Sequence, residues 1–362
     1  MAFAAMLTTS AGCSSTGTEC EGPRQIVAPS SSRGPGAVQL GLFLQPAGYP
    51  TPAQPPAALH DGGVVCFTCG GIVVFDAGLH DNRAIDTAGW YAVAVAPDDA
   101  IYAVASGAAT PEVVALSPAG TLRWRAPVAS FNGRLFAGSE GPYVGVSGPG
   151  SEPTSGIETV FGFDAATGER RTLVTGQHLL GAGNGRVLTS EPVGGGYVTL
   201  HQLDSAGSVL WSSAMVSGEL SGVVATPDGG EIVAGPSTDA AGFVIGFSAA
   251  GERQWSFSTR YRITHLTLSS QGEILLAGNN DRGAYTPVSS YLSVASPAGI
   301  ERTLTIHGEG DQYIEGLAAA PDGLAWVQID NAIVDDGRPG AALPLGGHTF
   351  TDTGTYLFKI VP

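Results

Sequence analysis

A short turn recurs seven times along this chain, at nearly regular intervals. The turns begin at Asp61, Asp98, Glu140, Asn184, Asp228, Gln271 and Asp322. Successive turns are separated by 37, 42, 44, 44, 43 and 51 residues. Most are Asp-Gly or a close equivalent, and each is followed by an apolar run, which is typical of a β-hairpin whose turn residues take positive φ. A repeated unit of this length, rather than two unrelated domains, therefore organises the chain.

A second repeated signal alternates with these turns. It is an apolar run followed by a small turn that ends in Gly. The glycines are Gly78, Gly120, Gly168, Gly207, Gly251 and Gly299. In three units a Trp stands four residues beyond the Gly, as Trp124, Trp211 or Trp255. Together the two signals predict four short strands in every unit, with the Trp side chains packed between neighbouring units.

Seven units of four strands define a fold class. This period and this strand count are typical of the blades of a β-propeller. The sequence therefore predicts an all-β chain, with one seven-bladed β-propeller of four-stranded antiparallel blades over residues 36–362. The 53 Gly and 24 Pro residues agree with the many tight turns that such a fold needs.

The end of the chain predicts how the ring closes. The last unit stops after its third strand, within residues 355–361, so its fourth strand is missing. An unpaired strand edge is a liability that native proteins cover. Two apolar segments near the N-terminus, residues 24–28 and 38–44, are spare strand candidates. We expect one of them to complete the last blade and close the ring.

The first residues predict export. A short apolar stretch ends in Ser10-Ala-Gly directly before Cys13, which resembles the lipobox of bacterial lipoproteins. The resemblance implies a signal peptide over residues 1–12, lipid on Cys13 and a flexible tether over residues 13–35. No basic residue precedes the apolar stretch, as expected for a start site assigned too far downstream. The predicted location is the cell envelope, periplasmic or surface-facing; plain secretion and a cytoplasmic location are the alternatives.

The remaining cysteines are candidates for a disulfide. Cys66 and Cys69 form a Cys-x-x-Cys, and Cys20 stands nearer the N-terminus. In an oxidising compartment, Cys66 and Cys69 could pair, or one of them could pair with Cys20. A redox-catalytic pair needs a helix N-terminus to lower a thiol pKa, whereas the flanking residues 64–65 and 70–75 read as strands. The motif is therefore predicted to be structural.

The overall charge restricts the partners. The formal net charge is −16 and the pI is about 4.6. Such a surface repels phosphate backbones, so we expect no nucleic-acid partner. No apolar run reaches the roughly 18 residues that a membrane span requires. We therefore expect contact with a membrane through the lipid anchor alone.

The Gly-then-Trp units resemble the repeats of PQQ-type and related bacterial β-propellers, over about residues 60–362. Residues 164–168, Asp-Ala-Ala-Thr-Gly, match the docking segment of that family, although Thr172 replaces the Trp. The resemblance implies a fold rather than an activity. It makes a propeller enzyme, either a quinoprotein-like oxidoreductase or a hydrolase or lyase, the alternative function. The seven His residues show no metal-ligand spacing, so neither a cofactor nor a metal site is predicted.

Long loops are the candidates for recognition. They follow the second strands, over residues 148–156, 279–289 and 331–355, and such loops cluster on one rim of a propeller. The candidate rim residues are Arg260, Arg262, Asn280, Asp281, Arg282, Tyr285, Asp311 and Tyr313. A mixed polar and aromatic patch of this kind is typical of recognition surfaces. It predicts a monomeric, non-catalytic binding or scaffold protein for an envelope protein, a peptide or a glycan.

Overall fold

The computed structural model of the protein describes most of the chain. The described residues are 23–27, 34–46, 55–68, 71–77, 82–85, 90–106, 110–131, 134–147, 158–213, 216–217, 220–237, 241–280, 289–307, 312–331, 342–352 and 354–362. Within these ranges the regular structure is entirely β, and no helix there is long and apolar enough to cross a membrane.

The strands form seven blades, six of them from consecutive strands. Two strands, β1 (Arg24–Val27) and β2 (Val38–Pro46), come first along the chain. Blade 1 contains β3 (Ala57–Ala58), β4 (Val64–Thr68), β5 (Gly71–Phe75) and β6 (Asn82–Ile85). Blade 2 contains β7 (Trp90–Val95), β8 (Ile101–Ser106), β9 (Pro111–Leu116) and β10 (Leu122–Pro127). Blade 3 contains β11 (Leu135–Gly138), β12 (Gly141–Ser147), β13 (Glu158–Phe163) and β14 (Arg170–Thr175).

Blades 4 to 6 repeat the pattern. Blade 4 contains β15 (His178–Gly183), β16 (Arg186–Gly194), β17 (Tyr197–Asp204) and β18 (Val209–Ser212), with a short β19 (Val216–Ser217) beside β17. Blade 5 contains β20 (Gly222–Ala225), β21 (Glu231–Pro236), β22 (Gly242–Phe247) and β23 (Arg253–Thr259). Blade 6 contains β24 (Arg262–Leu268), β25 (Ile274–Asn279), β26 (Ser290–Ser296) and β27 (Gly299–Ile306). Neighbouring strands are antiparallel, which confirms the predicted seven-bladed propeller.

Blade 7 combines both ends of the chain. It contains β28 (Gln312–Ala319), β29 (Ala325–Asn331) and, after a small hairpin of β30 (Leu343–Leu345) and β31 (His348–Phe350), β32 (Gly354–Ile360). The sheet order is β28-β29-β32-β2-β1. Both N-terminal candidates therefore join this blade, as its fourth and fifth strands. β1 lies within residues 13–35, so part of the segment predicted as a tether is strand.

Burial along the strands follows their place in a blade. β32 is buried over its whole length, and β25 at all positions but the last, because both faces of a blade pack against neighbouring blades. The outer strand β10 instead alternates, with Trp124 and Ala126 buried between exposed neighbours. The apolar runs after the hairpin turns are thus the second strands of the blades, as their composition predicts.

A single lysine links the last blade to the first. Lys359 on β32 is only 5% exposed. Its Nζ lies 2.8 Å from Asp322 Oδ2 and 5.3 Å from the centre of the Trp326 ring. It also donates to the carbonyl oxygen of Gly62, in blade 1, at 3.5 Å. The ammonium is therefore paired, as a buried charge must be, and it contacts both sides of the closure.

Two of the predicted Trp contacts join neighbouring blades. Trp124 in blade 2 donates from Nε1 to the carbonyl oxygen of Ala165 in blade 3, at 2.9 Å. A Cβ on Gly168 would lie 2.7 Å from the Trp124 ring, and one on Gly251 in blade 5 would lie 2.6 Å from Trp211 in blade 4. Trp255 differs, because its ring lies over Gly246 of its own blade.

The Gly168 contact generates a stability prediction. Gly168 and Gly272 have φ of 72° and 81°, but only Gly168 has a neighbour within 4 Å of an added Cβ. Both substitutions to Ala strain the turn, and only Gly168→Ala also displaces the Trp124 ring. We expect Gly168→Ala to lower the free energy of unfolding by about 1–3 kcal/mol more than Gly272→Ala in urea titrations. Equal losses would show that the ring does not pack on this turn.

Candidate functional site

The two ends of the ring differ in what they carry. The innermost strands are β3, β7, β11, β15, β20, β24 and β28. Because each blade is antiparallel, these strands all begin at the end where the loops between second and third strands lie, which we call the loop rim. The seven hairpin turns lie at the opposite end, the turn rim. The predicted recognition loops therefore share one rim with the connections between blades.

The described candidate rim residues belong to adjacent blades at the loop rim. Arg262 opens β24 and pairs with Asn279, directly before Asn280. Tyr313 lies near the start of β28 and pairs with Asp330. Arg260 and Arg262 are exposed. Asp281, Arg282, Tyr285 and Asp311 lie outside the described residues.

Hydrogen bonds give Asn280 a structural role. Its backbone N–H donates to the carbonyl oxygen of Ser289 at 3.1 Å, and the N–H of Ser289 donates to Asn280 Oδ1 at 2.8 Å. The amide oxygen thus closes the base of the loop between β25 and β26. The Ser289 hydroxyl in turn lies 2.7 Å from Nδ1 of His307. Among the candidates that the structure describes, Arg260 and Arg262 are the more exposed residues.

A buried tyrosine stands between the two exposed arginines in the chain. Tyr261 is 4% exposed, and its ring stacks on Tyr291 with centres 4.9 Å apart. Its carbonyl oxygen accepts a bond from Thr259 Oγ1 at 2.6 Å. Because Tyr261 points inward, the exposed Arg260 and Arg262 on either side of it are fixed at the loop rim. Nothing in the sequence distinguished Tyr261 from its exposed neighbours.

A hairpin that the sequence did not predict projects from the same rim. β16 pairs with β15 only up to Ser190, whereas its pairing with β17 continues to Gly194. The hairpin therefore extends about 10 Å beyond the blade. Near its tip Val193 and Tyr197 are 53% and 50% exposed. The run of three glycines at 194–196, all with positive φ, was the signal that could have identified this tip.

A channel follows the axis of the ring. Its volume is about 530 Å³, and side chains from all seven innermost strands or the residues just before them line it. The apolar lining residues include Val93, Leu135, Phe136, Leu180, Leu266 and Leu317. Arg134 and His265 are the ionisable ones. The enzyme alternative requires a cluster of ionisable groups that converge on the axis. These two side chains alone do not form such a cluster.

The two ionisable side chains of the channel have hydrogen-bond partners within the channel wall. Arg134 Nη1 donates to the carbonyl oxygen of Leu179 at 2.7 Å, which links blade 3 to blade 4. Nδ1 of His265 lies 3.0 Å from the Thr264 hydroxyl. Burial lowers the pKa of His265 to about 4, against a smaller raising effect from a backbone bond with Glu315. The imidazole is therefore neutral near pH 7, which does not suit it as a general acid there.

Two carboxyl groups of blade 7 have raised pKa values. Burial raises the pKa of Glu315, and the charge of Asp330 raises it further. Burial also raises the pKa of Asp330.

Within the described ranges, no three His, Cys, Asp or Glu side chains come together as a set that could hold a metal ion.

A buried polar network joins blades 4 and 5 near the turn rim. Arg186 Nη1 donates to Gln202 Oε1 at 2.8 Å and to the carbonyl oxygen of Gly229. Gln202 Nε2 donates to Glu231 Oε1 at 2.8 Å. Burial raises the pKa of Glu231 to about 7, although the bond from Gln202 and the charge of Arg186 lower it. The carboxyl group is therefore neutral over part of the physiological pH range.

Cys66 differs from the prediction, because it is a free thiol. Its side chain is 1% exposed and packs with Val64, Val73 and Phe75 between blades 7 and 1. Burial raises the pKa of the thiol to about 12. The face of β4 that carries Cys66 is thus part of the core. Cys13, Cys20 and Cys69 lie outside the described residues.

Comparisons with known proteins give the fold and no family. No family model matches the chain, and no curated protein matches it either. A chain in the crystal structure of the mitotic checkpoint complex is similar at 10% identity and a TM-score of 0.61, over 93% of this chain and 96% of that one. The Dos1 propeller is similar at 12% identity and a TM-score of 0.51, over 86% and 93%.

A bacterial propeller is also among the similar structures. BamB from Moraxella catarrhalis shares 15% identity with a TM-score of 0.44, over 85% of this chain and 97% of that one. At these identities the likenesses show the fold alone. The seven-bladed propeller is the class of protein that the strand topology and the two structures above define.

Glu231→Gln tests the buried carboxyl group. The neutral acid is favoured in the fold, where the pKa is about 7 against an ordinary value of 4.5. The wild type therefore loses stability as pH rises through this window, by about 3 kcal/mol, whereas the Gln variant does not. In urea unfolding, we expect the stability of the variant relative to the wild type to grow by that amount between pH 4 and pH 8. A constant difference would contradict the burial of this group.

The buried thiol can be tested directly. In a Cys13→Ser, Cys20→Ser, Cys69→Ser variant, Cys66 is the only thiol. Burial and a raised pKa both suppress thiolate formation and access. We expect a disulfide reagent such as dithionitrobenzoate to label Cys66 only after unfolding in urea. Rapid labelling of the folded protein would place the side chain at the surface.

Proposed function

We propose that this protein is a non-catalytic binding propeller of the cell envelope, exported and anchored by lipid on Cys13. In this proposal it acts as a monomer and recognises an envelope protein through its loop rim. A peptide or a glycan is the alternative ligand. The observation that carries the proposal is that the exposed arginines of blades 5 and 6 and the projecting hairpin of blade 4 lie on the same rim.

The chemistry of this rim suits protein recognition. Arg, Tyr and other aromatic residues are enriched where proteins bind one another. Here Arg260 and Arg262 supply positive charge on a chain whose net charge is −16, while Val193 and Tyr197 supply exposed apolar surface. A partner segment that combines carboxylates with an apolar or aromatic side chain would complement both parts.

The position of the N-terminus supports a partner near the membrane. β2 runs antiparallel to β32, and β1 runs antiparallel to β2, so Arg24 lies towards the loop rim. There it forms an ion pair with Asp352, just before β32. Cys13 precedes Arg24 by 11 residues, which can reach at most about 40 Å. Lipid on Cys13 would therefore keep the loop rim near the membrane surface.

The similar solved structures support protein binding only in a general way. One of them is part of an assembly, the mitotic checkpoint complex. The channel, with Arg134 and His265 as its ionisable lining residues, gives no comparable support to the enzyme alternative.

Charge reversal at the rim tests the proposal. We expect crosslinking and co-purification from intact cells to capture one membrane-associated protein with the tagged full-length wild type. An Arg260→Glu, Arg262→Glu variant should capture at least about tenfold less, because the reversed charges would repel the carboxylates of the partner. Arg123→Glu, Arg253→Glu makes the same charge change at exposed positions near the turn rim and should capture normally.

The anchor is tested in the same experiment. Cys13→Ser should release the protein from the membrane fraction and lower the capture. Equal capture by the wild type and the Arg260→Glu, Arg262→Glu variant would exclude these arginines of the loop rim as part of the binding surface. Unchanged membrane association of Cys13→Ser would exclude the lipid anchor without bearing on the rim.

A further inference from the structure

The channel has a polar end and an apolar end. Positions along the innermost strands can be compared by counting back from the last residue of each strand that pairs with the second strand. This residue lies at the turn rim, and in blades 3, 5 and 6 it is Gly138, Ala225 and Leu268. The residues two positions before the last paired one include Val93, Phe136, Val223, Leu266 and Leu317, all of which line the channel. They form an apolar ring in the half of the channel near the turn rim.

The polar lining residues lie at the level nearer the loop rim, together with Leu179. Four positions before the last paired residue, the lining residues are Arg134, Leu179, Ser221 and Thr264. His265 follows Thr264 and lies beside its hydroxyl group. Glu315 occupies the same level on blade 7 but is not among the described residues that line the channel. A cation, two hydroxyl groups and a neutral imidazole thus surround the mouth above an apolar ring.

Two β-bulges contribute to this arrangement. The pairing of β15 with β16 shifts at Leu180, and that of β24 with β25 shifts at Thr264, so each strand has one extra residue there. A bulge re-aims the side chain of the extra residue, and both of these residues line the channel. The bulges therefore place one apolar and one polar side chain on the channel wall.

The polarity and size of the channel restrict its ligand. A volume of about 530 Å³ lies within the range of about 300–1,000 Å³ typical of small-molecule sites. A peptide or a sugar would bring polar groups against the apolar ring, where they would lose their hydrogen bonds to water. A single alkyl chain needs no such bonds. The guanidinium of Arg134 at the mouth suits a carboxylate.

We propose that the channel is a binding site for a fatty acid, with the carboxylate at Arg134 and the alkyl chain along the apolar ring. The site is distinct from the loop rim, since its walls are the innermost strands. The bond from Arg134 to the Leu179 carbonyl holds the guanidinium at the channel wall. Thr264 and Ser221 complete the polar mouth.

Binding of a fluorescent polyene fatty acid tests the site. The probe is titrated into delipidated full-length Cys13→Ser protein, and hexadecanoic acid or its methyl ester is added as a competitor. We expect saturable binding of one probe per chain, and we expect the acid to compete better than the ester. Arg134→Gln should weaken binding of the acid at least about tenfold and leave the ester unchanged, because only the acid has a charged partner.

Matched variants distinguish this site from others. Ala137 lines the apolar half of the channel, and Ala137→Trp should abolish binding of both competitors by filling it. Arg123→Gln, an exposed change on β10, and the Arg260→Glu, Arg262→Glu variant should bind normally, whatever the rim recognises. Absence of saturable binding would overturn the proposal. So would equal weakening of acid and ester by Arg134→Gln, or normal binding by a folded Ala137→Trp.

Discussion

The structure depends on one pairing, that of β2 with β32. Without β2, the buried strand β32 would be an unpaired edge of the last blade. The C-terminus supplies three strands of that blade, and β2 supplies the fourth from more than 300 residues away. The Lys359 ammonium of β32 contacts Asp322 within this blade and the carbonyl oxygen of Gly62 in blade 1. Closure therefore couples the first described strands to the last one and places Arg24 of β1 at the loop rim.

Close approach of the blades determines what the centre of the ring can be. A Cβ on Gly181 would lie 3.1 Å from Val223, and one on Gly222 would lie 2.7 Å from Leu266. Glycine on one innermost strand thus makes room for a branched side chain on the next. This packing leaves a channel lined by both apolar and polar side chains, while the candidate recognition residues lie on the loop rim. The two proposed sites follow from this division.

The sequence predicted the repeated part of the structure well. Turns between strands require positive φ, as at Asp99 and Asn184 with φ of 61° and 51°, and residues that tolerate it are visible in the sequence. The Gly-then-Trp spacing likewise predicted the packing of Trp124 and Trp211 between blades. The missing fourth strand of the last unit predicted closure by the N-terminus, although not that β1 would add a fifth strand.

The sequence predicted less about the candidate sites because they depend on neighbours. The bulges at Leu180 and Thr264 arise from pairing with the second strands, and no local pattern marks them. The free thiol of Cys66 follows from which face of β4 packs between blades, which the Cys-x-x-Cys spacing does not contain. The role of the Asn280 side chain in closing the base of its loop depends on Ser289, nine residues further on, and its predicted role in recognition stays a prediction.

Hydrogen–deuterium exchange of the intact protein tests the closure most directly. If β2 is an integral strand of the last blade, its amides that pair with β32 exchange as slowly as those of β25, in the middle of blade 6. Rapid exchange along β2, with β25 still protected, would contradict the account. In that case the ring would stay folded without β2, and the pairing of β2 would not place Arg24 at the loop rim.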